Sequence, residues 1–566
     1  MKIPENHQLV LLNQLISSLI EQIPLIKTFK GKWSVIKNKL NDLHTQLNDL
    51  SDFPSKNFSS NSLSSELLLS ISQTLTDALS LADKCIQDPI LSAGKLRTQS
   101  DIDSISAKLD QHIKDSDLLI RSGVLLQDTS ISNNNCNTNY VSLSTTTSKR
   151  EIVRVEARNL ITRLQIGNSE SKNTWMDSLL GLLHEDDKNV LTAVAQGVVP
   201  VLVRLFDSSC LEIKEKAVSA ISRISTVDSS KHVLVAEGIL LLNHLIRVIE
   251  SGSGFAKEKA CIALQALSFS KENAIAIGSR GGISSLLEIC QSGTHTSQAV
   301  AAGVLRNLAL FGEIKMNFVD ENGIPVLIAL SASGTALAQE NSIGCLCNLV
   351  AKDEKMKLLV VKEGGIKCFV NFWDAAPMAR NLEVAVGLLL NLASCRLIAE
   401  VLVSNGFIAR LIDLFKCGVS SMRIAASRAV YELGYCTKTR KEIGEAGFIP
   451  LLVKMLDAKA AEEKDAAAKA LSCLMQYMGN RRILRKEDRG IAATVQLLDP
   501  SIHNLEKEYP ILILLSIAQS KKCRRQMIDA GAGAYLQKLV EMEVEGCKKL
   551  LECLGRGKLW GVFART

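Results

Sequence analysis

Residues 323–349 read GIPVLIALSASGTALAQENSIGCLCNL. A glycine opens this stretch, a small apolar residue and a proline follow, and leucines then recur at helical spacing. The polar run from Ser331 to Thr335 ends that helix, and a longer helix of small and apolar residues takes over. Proline near the start of a helix costs little, because its missing N–H would lack a partner there anyway. The glycine permits a sharp backbone turn, where a Cβ would cost about 1 kcal/mol or more if φ is positive.

The same phrase recurs along the chain. It appears as QGVVPVLVRLF at Gly197, EGILLLNHLI at Gly238, GGISSLLEIC at Gly282 and GGIKCFVNF at Gly365. It continues as NGFIARLIDLF at Gly406, AGFIPLLVKML at Gly447, RGIAATVQLL at Gly490 and AGAGAYLQKLV at Gly531. Successive anchors stand 41 to 44 residues apart. Such a period belongs to helical solenoids, in which each unit buries its apolar face against the next. Every unit reads as an apolar helix, a polar turn, a long Ala-rich helix such as Ala299–Leu310 or Asp465–Leu474, and a short third segment.

The phrase G-(I/F)-P-x-L-(V/I) followed by A-A-x-x-L-x-N-L resembles the armadillo repeat. Gly323–Leu330 with Glu340–Leu349, and Gly447–Leu456 with Ala466–Leu474, carry the resemblance best. It covers nearly everything after Arg150 and implies a right-handed armadillo superhelix that binds other proteins. The chain looks most like plant armadillo proteins related to the yeast vacuolar armadillo protein and to plant U-box/armadillo ligases. Those ligases place a U-box between a helical N-domain and the repeats. Here that gap is filled by DTSISNNNCNTNYVSLSTTTSK, Asp128–Lys149, which has no apolar core. Recruitment of a ubiquitin-conjugating enzyme is therefore not expected.

Before the repeats, four blocks carry apolar residues at helical spacing. The clearest holds Trp33, Ile36, Leu40, Leu43, Leu47 and Leu50. Leu12, Leu15, Ile16, Leu19 and Ile23 precede it, and Leu63, Leu67, Ile71, Leu75 and Leu79 follow after Pro54 and a Ser/Asn-rich run. Ile102, Ile105, Leu109 and Ile113 form the last block, and four such stripes can bury one another. The expected organisation is all-α: a bundle over 1–127, a flexible Ser/Thr/Asn-rich linker over 128–150, and a solenoid over 151–566.

Composition agrees with this. Hydrophobic residues make up 47% of the 566 and aromatics only 4%, which favours helices packed through Leu, Ile, Val and Ala. The net charge of +7 is spread too thinly to demand a nucleic-acid partner. The 15 cysteines include no CxxC pair, so reduced thiols in a reducing compartment are expected. No signal peptide or uninterrupted membrane span is read. These features point to a cytoplasmic location, with nuclear entry or peripheral membrane association as alternatives.

No catalytic pattern emerges. The eight histidines are dispersed, with neither HExxH nor Cys/His ligand spacing, and GxSxG and the kinase signatures are missing. No enzyme, metal, cofactor or small-molecule substrate is expected, nor sequence-specific nucleic-acid binding.

Two surfaces stand out instead. Counting 25 to 27 residues beyond the anchor glycines gives a column on the long helices: Arg223, Gln265, Asn307, Asn348, Asn391 and Glu432, then Cys473 and Ser516. Armadillo stacks expose this helix in a concave groove, where a side-chain amide can pair with an extended peptide. The alternative is that the column only ties neighbouring helices together. One turn earlier the column reads Gly303, Gly344 and Gly387, where importin-α-like receptors carry tryptophans. A shallow trough is expected, and a lysine-binding ladder is not. The second surface is a basic edge: Arg440, Lys441, Arg481, Arg482, Arg485, Lys486, Lys521, Lys522, Arg524 and Arg525. It suits an acidic partner or an anionic membrane surface, or else simply solvates the stack. The resulting expectation is a protein-binding adaptor or scaffold. A substrate-presenting partner of a ubiquitin ligase, or a peripheral membrane tether, is the alternative.

Overall fold

The computed structural model of the chain describes residues 6–51, 53, 62–87, 94–122, 145–375, 382–416 and 418–555. Among these, every regular element is an α- or 3-10 helix. Two compact units are formed, Met1–Leu267 and Ser268–Thr566.

The first unit opens with helices Asn6–Gln22, Lys30–Ser51, Ser62–Gln87 and Lys95–Arg121. Each of the four stripes read from the sequence contributes to one core. Trp33, Ile36, Leu40, Leu43, Leu47 and Leu50 are all buried, beside Leu12, Ile16, Ile71, Leu75, Ile102 and Leu109. Leu15, Leu79 and Ile113 pack at its partly buried rim. Lys39, half-buried, donates from Nζ to Asp110 at 2.6 Å and Ser106 Oγ at 2.8 Å.

Helix Thr145–Ile166 begins inside the stretch read as a linker, so residues 145–150 are helical. The earlier linker residues, 128–144, lie outside the described residues, as do Pro54, most of the Ser/Asn run after it, and 556–566. The bundle meets the next two helices, Thr145–Ile166 and Ser169–Glu185, through polar groups. Ser171 Oγ donates to Glu66 Oε2 at 3.2 Å, and those next two helices are joined to each other by the Arg163 guanidinium, 4.0 Å from the Trp175 ring centroid. Asp115 and His112 are buried near this junction, and His112 Nε2 pairs with Thr74 Oγ1 at 2.9 Å.

From there the chain repeats a short helix, a second helix and a long helix. The long helices of the second unit are His295–Leu308, Ala336–Val350, Glu383–Ala393, Ser420–Leu433, Ala461–Leu474 and Glu508–Ile517, each packed on the next. Buried small residues such as Ala301, Ala302, Ala467 and Ala470 allow that approach.

Each anchor glycine falls at the start of a second helix, and seven of the nine divide into two kinds, Gly238 and Gly490 fitting neither. Gly197, Gly406, Gly447 and Gly531 stand just before the helix in the left-handed region, at φ 82°, 79°, 93° and 86°. Gly282, Gly323 and Gly365 are instead the first helical residue, and the residue before each turns left-handed: Gly281, Asn322 and Gly364. At this inner position the constraint is space. A Cβ on Gly365 would lie 2.7 Å from Val360 O, and one on Gly323 3.1 Å from Phe318 O.

That division is testable by urea denaturation. Gly364→Ala should lose about 1 to 2 kcal/mol to left-handed strain, and Gly364→Asn should recover part of it, as Asn322 does naturally. Gly365→Ala should be at least as damaging, and Gly365→Asn should give no recovery. The same rank order at both positions would refute the distinction.

The buried pair in the bundle predicts a pH response. Burial pushes Asp115 up to about 6, against the Gln111 hydrogen bond and the Lys172 charge, which favour its ionised form. Burial, helped by Lys108, pulls His112 down to about 4. A carboxyl raised above its unfolded value destabilises as pH rises from about 4 to 6. A histidine lowered below its unfolded value stabilises over about 4 to 6.5. Each slope is at most about 1.4 kcal/mol per pH unit, and between pH 4 and 6 they oppose. Wild-type stability should therefore be nearly flat there as far as these two groups contribute. His112→Gln should become less stable as pH rises, and Asp115→Asn less stable as it falls, both relative to wild type in urea titrations.

Candidate protein-binding surfaces

An α-helix ends with carbonyls that have no partner within it, and the long helices find donors for theirs in the following repeat. Asn348 Nδ2 donates to Arg306 O at 2.9 Å, in the last turn of His295–Leu308. Asn391 Nδ2 donates to Cys347 O at 3.3 Å, in the last turn of Ala336–Val350. Cys473 Sγ lies 3.2 Å from Gly434 O, at the end of Ser420–Leu433. In the first unit, Arg223 Nε donates to Leu183 O at 3.0 Å while its Nη2 pairs with Asp187. Asn307 is buried and donates to Ser268 Oγ at 2.8 Å. Gln265 and Glu432 occupy the same register, half-buried on their own long helices.

The column proposed from spacing is therefore real as a register, and its donors serve the stack. Asn348 and Asn391 give their N–H groups to the preceding helix and remain half-buried. Lys315 does the same job from a short helix. Its Nζ donates to Asn348 O, Leu349 O and Ala351 O at 2.7 to 3.2 Å, a role no spacing argument had singled out.

The glycine trough differs from expectation. At Gly344 the space is filled by the side chain of Arg306, because a Cβ there would lie 2.6 Å from Arg306 Nε. Arg306 in turn donates to Asn341 Oδ1 at 3.4 Å. At Gly387 a Cβ would lie 3.3 Å from Cys347 Sγ. These glycines exist so that a neighbouring repeat's side chain can lie across the helix.

Further along, the same face becomes charged and aromatic. Lys469 Nζ sits 4.8 Å from the Tyr431 ring centroid and 5.5 Å from that of Tyr509, so three consecutive long helices share one cation–π stack. Arg428 pairs with Glu462 at 2.9 Å beside it, and both are largely exposed. Leu337 and Leu512, on the long helices Ala336–Val350 and Glu508–Ile517, are 56% and 45% exposed. A sequence pass looking for tryptophan overlooks this stack, since the two tyrosines come from different registers.

The basic edge lies on the short helices themselves rather than in the connections between helices. These are Thr437–Glu445, Met478–Leu484 and Lys521–Asp529, with Arg485 and Lys486 just after the second. Its paired cations divide. In three pairs, Arg440–Lys441, Arg481–Arg482 and Arg524–Arg525, the first member is the more buried. Arg481 Nε donates to Met475 O at 2.7 Å, and Arg524 Nη1 to Ala518 O at 2.8 Å and Gln519 O at 3.0 Å, capping long helices. Arg440 is likewise half-buried. The second of each pair, Lys441, Arg482 and Arg525, is exposed, as are Arg485, Lys486, Lys521 and Lys522. Among the described residues, no group of His, Cys, Asp and Glu could hold a metal ion.

Comparison with known proteins places this geometry. Residues 186–226, the repeat built from helices Asp187–Ala195, Val198–Leu205 and Leu211–Ser225, match the armadillo/beta-catenin-like repeat family. Residues 10–124 match a domain of unknown function, DUF7032. No curated protein matches the chain. Among solved structures, an engineered protein from the Northeast Structural Genomics Consortium aligns with a TM-score of 0.63 at 24% identity. It covers 71% of this chain and 99% of its own length. At that identity the likeness concerns the fold, which is an all-α solenoid of armadillo type.

If the column amides cap long helices, Asn348→Ala combined with Asn391→Ala should cost stability. Each lost hydrogen bond is worth about 0.5 to 1.5 kcal/mol, so urea denaturation should show a loss of about 1 to 3 kcal/mol. An unchanged urea midpoint would remove them from the stack.

Proposed function

We propose that this armadillo-type solenoid is a non-catalytic adaptor that holds a partner protein against the face of its long helices. One observation carries the reading. While the column amides are committed to stacking, the same helices in the second unit present Leu337, Arg428, Glu462, Lys469 and Leu512 as a mixed apolar and charged surface. Buried apolar anchors within a polar rim are what protein interfaces use. Free thiols at every described cysteine accord with a cytoplasmic setting.

Photo-crosslinking in cells tests this. A crosslinking residue at Leu337 or Leu512 should capture partner proteins, and one at Leu358 on a short helix should not. Arg428→Glu with Lys469→Glu should reduce capture at Leu512 at least tenfold with an unchanged urea midpoint. Capture from the Leu358 position alone would place the binding surface elsewhere.

A further inference from the structure

We infer that the exposed cations of the last three short helices form a charge ladder that docks an acidic segment of a partner protein. This rests on the adaptor reading and concerns a different face. The ladder follows from the division of the basic pairs. Arg440, Arg481 and Arg524 stand at one register, one per repeat, and Lys441, Arg482 and Arg525 at the next. Since Arg481 and Arg524 spend their guanidinium N–H groups on the carbonyls that end long helices, the inner line is part of the scaffold.

The outer line has no such employment. Among the described residues neither Arg482 nor Arg525 forms an ion pair, and Lys441 meets Glu445 of its own helix at 3.8 Å. An exposed i,i+4 pair of that kind holds its lysine weakly. Asn480, buried on Met478–Leu484, donates to Arg440 O at 2.8 Å and to Leu474 O at 3.0 Å. That bond pins the second short helix to the first, so Lys441 and Arg482 are held at a fixed spacing. Packed helices stand about 10 Å apart. A helical peptide rises about 10.5 Å over seven residues, so carboxylates seven residues apart would meet Lys441 and Arg482 in turn, with Arg525 on the repeat beyond.

The charges between the rungs select the class of partner. Glu442, Glu445 and Asp529 on the first and third helices, and Glu487 and Asp488 just after the second, are interleaved with the cations. A continuous anionic surface such as a lipid bilayer would be repelled at each of them, whereas a peptide with discrete carboxylates can leave those places uncharged. Met478, 62% exposed, is the large apolar side chain these three helices offer, which is little for insertion into lipid.

The test uses the full chain and fluorescence anisotropy with two synthetic helical peptides of equal charge. One carries glutamate at every seventh residue over three positions, and the other carries its glutamates adjacent at one end. The spaced peptide should bind at least fivefold more tightly, and binding should weaken as salt rises through about 0.15 M. Lys441→Glu, Arg482→Glu and Arg525→Glu together should weaken it at least tenfold with an unchanged urea midpoint. Arg481→Met with Arg524→Met should lower the urea midpoint and leave affinity of the folded protein within about twofold. Equal binding of both peptides, a triple variant that binds as wild type, or tighter binding to phosphatidylserine vesicles than to the spaced peptide would each overturn the inference. Long-helix crosslinking at Leu512 is read separately, so failure of the ladder leaves the adaptor proposal standing or falling on its own evidence.

Discussion

Wherever an α-helix stops, its last carbonyls face either water or a donor brought from elsewhere. This chain stops a long helix once in every repeat, and the donor repeatedly comes from another helix of the stack. Asn348, Asn391 and Cys473 reach back from the next long helix. Arg481 and Arg524 reach from a short one, and Lys315 places one ammonium among three carbonyls. Each bond is modest by itself, about 1 kcal/mol, and the cationic donors gain a little more from the negative end of the helix. Their consequence is geometric. A donor that must meet a given carbonyl fixes the offset of one repeat against the next, where apolar packing between smooth Ala-rich surfaces would tolerate sliding.

The same requirement apportions the polar residues of the repeats. The N–H groups that seal helix ends are spent on the stack, which is why a register of asparagines that looks like a binding ladder also acts as a seam. What remains for partners is what the seams leave over. On the long helices that is the exposed set around Lys469, and on the short helices it is the second member of each basic pair. Glycine follows the same logic, since Gly344 makes room for Arg306 just as Gly365 makes room for the end of the helix before it.

The N-terminal bundle is built differently. Its core is a cluster of Leu, Ile and Trp, yet its junction with the helices after it is polar: Asp115, Lys172 and Arg163 are brought there partly desolvated, and Glu66 accepts from Ser171 at the exposed rim. Burying charge is expensive unless it is paired, so this junction contributes little net stability and a definite orientation. The bundle's own helices were readable from spacing because their stripes repeat over many turns. The junction was not, since its members are separated by long stretches of chain and share no period.

Sequence alone determined the helical class, the period of the repeat, the places where second helices begin and the four stripes of the bundle. These are local consequences of apolar spacing, of proline's missing N–H and of glycine's freedom at positive φ. Tertiary structure alone decided which polar residues are spent and which are spare. Nothing in the pair Arg481–Arg482 tells the two apart, because both are arginine and both lie on the same short helix. The carbonyls of Met475 and Gln476 lie within reach of the first, and solvent surrounds the second. That distinction depends on where a helix ends in space, and it is fixed only once the repeats have stacked.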